Sequence, residues 1–270
     1  MLRQANPTFS RATKVAKRPC FIQVWHIDCP IIVFVLILAI DTSSPTGSLA
    51  VLHDEKLTGV ISVSSDETYS SRMFRHLEFL LGELSLGIED FDLFAVVAGP
   101  GSFTGLRVGL AAAKGWGEVY GKPIAAVSAL QAVATQARSA APLVVPFFDA
   151  RRGQVYFGFY RRQSGDGDLA LEGDECVATP QEFLEALERK AGTSDFAMVT
   201  PTPEVLTKEM VSGSDAHANA RIERASPVLA PYIGQLGFRQ AQRGRLSDSL
   251  KVDANYVRRS DAELHWKAPK

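Results

Sequence analysis

The chain has 270 residues, 29 lysines and arginines against 30 aspartates and glutamates, and 46% apolar residues. That is enough for a sizeable core in one large or two moderate domains. The balanced charge excludes a dedicated nucleic-acid binder, which carries a marked basic excess, though not a local basic patch. Cys20, Cys29 and Cys176 form no CxxC pair, which excludes a disulfide framework or zinc knuckle and fits reduced thiols in the cytoplasm.

Lys14, Lys17 and Arg18 precede an apolar run, Ile31 to Ile40, in the manner of a secretory signal. The run is too short to span a bilayer, and no small-x-small cleavage site follows it. It leads into Asp41-Thr42-Ser43-Ser44, the end of a core strand. A buried strand is therefore expected, preceded by a poorly specified extension over residues 1–34. The true start of the protein is expected near Val33 or Val35.

Ile37 to Asp41, Ser48 to Leu52 and Leu57 to Val63 read as three strands of a meander, the last two joined by His53-Asp54-Glu55-Lys56. A helix is predicted from Tyr69 to Leu86, with Met73, Leu77, Leu80, Leu81 and Leu84 on one face. Phe91 to Ala98, apolar after Asp92, reads as a parallel strand covered on both sides. Then comes "AGPGSFTGLRVGLAAAKG", a glycine-rich turn opening a helix. Pro123 to Val127 follows as a strand and Ser128 to Arg138 as a helix. This order predicts a mixed sheet with helices packed on it, the first lobe, over 35–140.

A second lobe is expected over 141–270. "LVVPFFDA" and "QVYFGFY" read as strands joined at Arg151-Arg152-Gly153. "SGDGD" is a polar loop. "TPQEFLEALERK" opens with a threonine cap and a proline and reads as a helix. Ile233 to Gln242 reads as another. Periodicity over 191–226 is too weak to assign an element, and "VDANYVRRSDAELHWK" mixes a short strand with charged residues. There is no strict repeat, coiled coil or low-complexity tract.

Glycine-rich strand-to-helix turns often cradle phosphate. A P-loop, however, needs GxxxxGK[ST], and Gly105 is followed by Leu106-Arg107. A nucleophile elbow needs GxSxG, and Pro100 stands two residues before Ser102. Ser102 remains a helix cap, and a tight turn with a capped helix accounts for the glycines. His26, His53, His76, His217 and His265 include no i, i+4 pair, so no helical metal site forms. Asp41 and Asp149 each end a strand, where a carboxylate either holds a hydrated magnesium or accepts turn N–H bonds. Asp149 with Arg151 and Arg152 makes either a small anion pocket or a solvated hairpin tip.

Gly105, Gly109, Ala113 and Gly117 recur every four residues, a stripe without bulk on one helix face. Such a stripe admits another backbone, in the same chain or in a partner. On the preceding helix Phe79 lies opposite the leucine face, among Arg72, Arg75, Gly82 and Glu83. Together the helices are expected to form a helix-bundle interface involving Arg72, Arg75, Phe79, Gly82, Gly105, Gly109, Ala113 and Trp116.

"LILAIDTSSPTGSLAVL", "AGPGSFTGLRVGLAAAKG", "PIAAVSALQAVA", "PFFDARRGQVYFGFY" and "NYVRRSDAE" stand in an order that resembles the bacterial TsaB (YeaZ) family, from Leu36 to about Glu263. The resemblance implies an actin/Hsp70/sugar-kinase-like (ASKHA) α/β fold of two related lobes with mixed sheets, the second degenerate. It implies a part in making N6-threonylcarbamoyladenosine in tRNA. The part is that of a non-catalytic subunit paired with the paralogue TsaD, which holds the metal and transfers the threonylcarbamoyl group. The ATPase TsaE joins them, and alone the family pairs with itself. Both pairings use helices of the first lobe. tRNA is held through the complex, the location is cytoplasmic and no membrane is involved. The subunit needs no cofactor or metal of its own, with room for ATP or ADP at the complex interface. Asp41, Thr42, Ser102, Thr104, Asp149 and Arg151 would then mark a vestigial nucleotide or anion site. Arg258 and Arg259 offer either a direct contact to tRNA or only a solvated charged tail. Two other readings compete. One is an ATP-dependent phosphotransferase of the same superfold, for which "VSGSDA" is a poor adenosine loop. The other is a metallopeptidase, which lacks ligands.

Overall fold

The computed structural model describes residues 34–65, 67, 69–163, 168–192, 194–206, 221–248 and 251–258. The first sheet has the order β3-β2-β1-β4-β5. Its strands are β1 (Leu36–Asp41), β2 (Ser48–His53), β3 (Lys56–Ser62), β4 (Leu93–Gly99) and β5 (Ile124–Ser128). β1–β2 and β2–β3 pair antiparallel, whereas β1–β4 and β4–β5 pair parallel. The second sheet has the order β10-β7-β6-β11-β12, with β8 (Tyr160–Arg162) and β9 (Leu169–Leu171) at its side. Its path strands are β6 (Leu143–Arg151), β7 (Gln154–Phe157), β10 (Cys176–Ala178), β11 (Phe196–Thr200) and β12 (Arg221–Arg224). Here too the first strand pairs antiparallel with the second and parallel with the fourth, and the fourth and fifth are parallel. Two meanders, each running into parallel strands in the same spatial order, make the duplicated actin/Hsp70/sugar-kinase-like α/β fold.

Strand alternation divides the core into faces. Leu38, Ile40, Leu49, Val51, Phe94 and Val96 meet helices α1 (Tyr69–Leu84) and α2 (Phe103–Tyr120). Ile37, Ala39, Ala50, Leu52, Ala95 and Ala125 point the other way, as a two-residue period requires. That second face packs against α3 (Ala129–Ala134) and α5 (Ala230–Gln242), and its cluster continues into Val144 and Val199 of the second sheet. The opposite face of the second sheet buries Val145, Phe147 and Met198 against Phe183 and Leu187 of α4 (Pro180–Ala191). α4 starts with the expected threonine: Thr179 and Glu182 form a reciprocal capping box.

The expected helix Ile233 to Gln242 begins earlier, at Ala230, and it covers the first sheet although it follows the second in sequence. It fits because both surfaces are nearly flat. A Cβ added to Gly237 would lie 2.7 Å from the Cβ of Ala95 and 3.3 Å from that of Ala125.

Three other elements differ from expectation. "QVYFGFY" breaks after Phe157, and β8 (Tyr160–Arg162) resumes beside Leu143 and Val144. The break lies opposite Pro146, whose nitrogen has no hydrogen to give to the ladder. α3 stops at Ala134, four residues before Arg138, where Thr135 turns its hydroxyl back to the Ala132 carbonyl at 2.9 Å. Gln136 there accepts from the Ser226 amide at 2.7 Å. Residues 252–258 form no strand; they run as a strap on which the Asn255 amide donates to the Ala98 carbonyl at 2.7 Å. The unassigned 191–226 region supplies β11 and β12, and its residues 207–220 lie outside the described residues. So do the extension 1–33 and residues 259–270, including Arg259.

Candidate functional site

The glycine-rich turn leaves β4 at Gly99, passes Pro100 and starts α2 at Phe103. Ser102 caps the helix as expected, its hydroxyl accepting from the Gly105 amide at 3.3 Å. The Ser102 amide is itself held by the Ser43 carbonyl at 2.8 Å, so the loop after β1 and the start of α2 are stitched together.

That stitching decides what the small-residue stripe does. A Cβ on Gly105 would sit 1.9 Å from the Thr42 carbonyl oxygen, and one on Gly109 2.5 Å from Thr42 Oγ1. Ala113 is fully buried, and a Cβ on Gly117 would meet the Lys122 carbonyl at 3.0 Å. The approaching backbone is therefore the chain's own, and Gly105, Gly109, Ala113 and Gly117 present no free docking surface. Arg72 is a second correction. It is 2% exposed, and its guanidinium donates to the Val63 and Pro45 carbonyls, each at 2.5 Å, beneath the Tyr69 ring. It fastens the loop before α1 rather than facing outward.

The outward faces carry a different set. On α1, Phe79 is 61% exposed and Phe74 55% exposed, with Gly82 open to solvent between their sides of the helix. Arg75 is exposed and pairs with Glu67 at 2.9 Å. Trp116 of α2 is half-buried, its ring 6.3 Å from Phe74 and 5.7 Å from Phe94. The outer arc of α2 runs through Arg107, Ala111, Gly115 and Val119, the last 74% exposed. A Cβ on Gly115 would meet nothing. Phe74, Val119 and the Ala111–Gly115 pair were missed from sequence; the signal was apolar or small residues at positions off the buried stripe.

Asp41 and Thr42 come together with Ser102 and the first turn of α2, but they are buried, whereas Ser102 and Thr104 are exposed. One Asp41 oxygen accepts from the Ser43 amide at 2.9 Å and the Ser43 hydroxyl at 2.6 Å. Its other oxygen, Thr42 Oγ1, Ser44 Oγ and the Tyr69 hydroxyl are buried without a hydrogen-bond partner among the described residues. Burial pushes the Asp41 carboxyl above its ordinary range, against the two Ser43 bonds. Burial and the Asp41 charge also push the Tyr69 hydroxyl up. Asp149 and Arg151 lie on the β6–β7 hairpin of the second sheet. The Asp149 carboxylate accepts from the Arg151 amide at 2.7 Å, and Arg151 and Arg152 both adopt left-handed backbone. Arg258 is likewise committed within the fold, donating to the Ala150 carbonyl at 2.9 Å. Among the described residues, no three His, Cys, Asp or Glu side chains converge as metal ligands.

The raised carboxyl has a consequence for stability. Between the ordinary aspartate value and the raised folded one, the folded state keeps a proton that the unfolded chain releases, so stability falls as pH rises through that window. Asp41→Asn keeps an acceptor for Ser43 and removes the charge. Its melting temperature is expected to exceed that of the unsubstituted protein at pH 8, with the gap closing toward pH 4. Parallel melting curves across that pH range would show the burial penalty to be absent.

Residues 47–232 match the family model described as "TsaD: tRNA N6-adenosine threonylcarbamoyltransferase". The chain is 37% identical over 236 residues to the tRNA threonylcarbamoyladenosine biosynthesis protein TsaB of Bacillus subtilis, covering 85% of this chain and 97% of that protein. It is 34% identical to TsaB of Haemophilus influenzae, covering 86% and 95%. Among solved structures, YeaZ from Pseudomonas aeruginosa superposes with a TM-score of 0.64 at 26% identity, over 82% of this chain and all but 1% of that one. No helix among the described residues is long and apolar enough to cross a membrane. With its first four diagnostic blocks folded into one duplicated α/β frame and these two TsaB relatives matched along nearly their whole length, the chain belongs to the TsaB (YeaZ) family.

Proposed function

We propose that this chain is a non-catalytic subunit in the formation of N6-threonylcarbamoyladenosine in tRNAs that read codons beginning with A. It pairs with the catalytic paralogue TsaD through the outward faces of α1 and α2. The observation that carries this reading is the exposed face itself: Phe74, Phe79 and Val119 stand in solvent beside the open glycines Gly82 and Gly115. Large apolar groups around a surface without bulk are suited to close helix packing. The names of the matched relatives support the pathway, and the TsaD family model over 47–232 supports common descent with the proposed partner. In this reading TsaE joins the pair, the chain self-associates when alone, and tRNA is held by the assembly in the cytoplasm. The pairing leaves room for ATP or ADP where the subunits meet.

The test is capture of TsaD by the tagged chain, followed by a reconstituted tRNA modification assay. TsaD is expected to be retained, and modified tRNA to form only when the chain is present. Undiminished modification without it, or robust magnesium-dependent ATP turnover by the chain alone, would overturn the reading.

A further inference from the structure

α3, α5 and strands β8 and β9 (Leu169–Leu171) enclose a cavity of about 1040 Å³. Its described lining includes four arginines, Arg162, Arg239, Arg243 and Arg245, and one acid, Asp168. Asp168 lies between two of them, accepting from Arg239 at 3.3 Å and also from Arg243. Arg239 also meets Glu55 at 2.8 Å. Among the described residues, these arginines meet two carboxylates, Asp168 and Glu55, and Arg162 also donates to the Ser139 carbonyl at 3.1 Å. These ion pairs account for Arg239 of α5 and Arg243 at its C-cap. They do not explain Arg245, which lies past the helix end and lines the cavity with no ion pair or side-chain hydrogen bond among the described residues. A concave surface with one excess sign of charge concentrates ligands of the opposite sign. Guanidinium groups, with five donors in a planar fork, match phosphate oxygens. The volume is at the upper end for small-ligand pockets, and Tyr232 is among the lining residues, an aromatic side chain of the kind on which a base can stack.

We propose that this cavity binds a phosphorylated nucleotide, free or as part of an RNA strand. The phosphate faces Arg243 and Arg245, and the base lies toward Tyr232. The proposal does not depend on the pairing with TsaD, because the isolated chain is the object tested.

The experiment measures binding of ADP by calorimetry and of a fluorescein-labelled ten-nucleotide RNA by anisotropy, at low and physiological salt. Arg245→Glu and Arg245→Gln are compared with Arg189→Glu, a charge reversal on the exposed side of α4, and thermal melting establishes that each variant is folded. At least one probe is expected to bind, more tightly as salt is lowered. Arg245→Glu is expected to weaken it tenfold or more, Arg245→Gln less, and Arg189→Glu not at all. ADP bound without displacement by RNA identifies a free nucleotide; RNA bound without displacement by ADP identifies a strand. Absence of binding by either probe, or equal binding by folded Arg245→Glu, overturns the proposal.

Discussion

Phe79→Asp is expected to leave the monomer folded and to remove its associations. The ring is 61% exposed and belongs to none of the buried clusters, so the stability change should lie within about 0.5 kcal/mol, as for most surface substitutions. At a packed interface the same change buries a carboxylate without a partner. Hot-spot truncations cost about 2–4 kcal/mol, and a buried unpaired charge costs at least as much, so affinity should fall by roughly 30-fold to 1000-fold. Size-exclusion chromatography should show a monomer where the unsubstituted chain self-associates, and capture of TsaD should fail. Phe74→Asp should act in the same direction and also loosen Trp116, whose ring it meets edge-on at 6.3 Å. If Phe79→Asp self-associates and captures TsaD as before, the α1–α2 face is not the docking surface.

Gly105→Val and Gly109→Leu should do the reverse, failing as folded proteins rather than as partners. At Gly105 the new Cβ would fall 1.9 Å from a backbone oxygen, and at Gly109 2.5 Å from Thr42 Oγ1. Neither neighbour is the end of a flexible chain: Thr42 is 1% exposed, and the adjoining Ser43 carbonyl holds the start of α2. Overpacking a core costs about 1–3 kcal/mol and more where backbone must move, so a loss of about 3 kcal/mol or more is expected out of a typical 5–15. Gly115→Ala supplies the contrast. Its site is open, and alanine is favoured over glycine in a helix by about 1 kcal/mol. Urea denaturation of the three variants separates the inward stripe from the outward face. Wild-type stability in Gly105→Val would mean that α2 does not seat on the loop after β1.

The sequence by itself determined the order of elements and their chemistry. The apolar strands, the leucine face of α1, the Ser102 and Thr179 caps and the Arg151-Arg152-Gly153 hairpin all rest on local rules of period and turn, which need no knowledge of the partner surface. The family blocks were legible for the same reason: they are contiguous. Local rules also located a helix surface without bulk, but a period of four says only that one face is small, not what it meets. Tertiary structure decided that. It set Gly105 and Gly109 on Thr42, sent Arg72 inward to two carbonyls, and left Phe74, Val119 and Gly115 facing out. It also placed α5 on the sheet formed first, brought β11 and β12 out of a stretch without periodicity, and gathered four arginines from two distant segments around one cavity. The duplicated strand order left no repeat in the residues, because pairing order is fixed by contacts between strands far apart in the chain, and many different apolar residues satisfy the same contact.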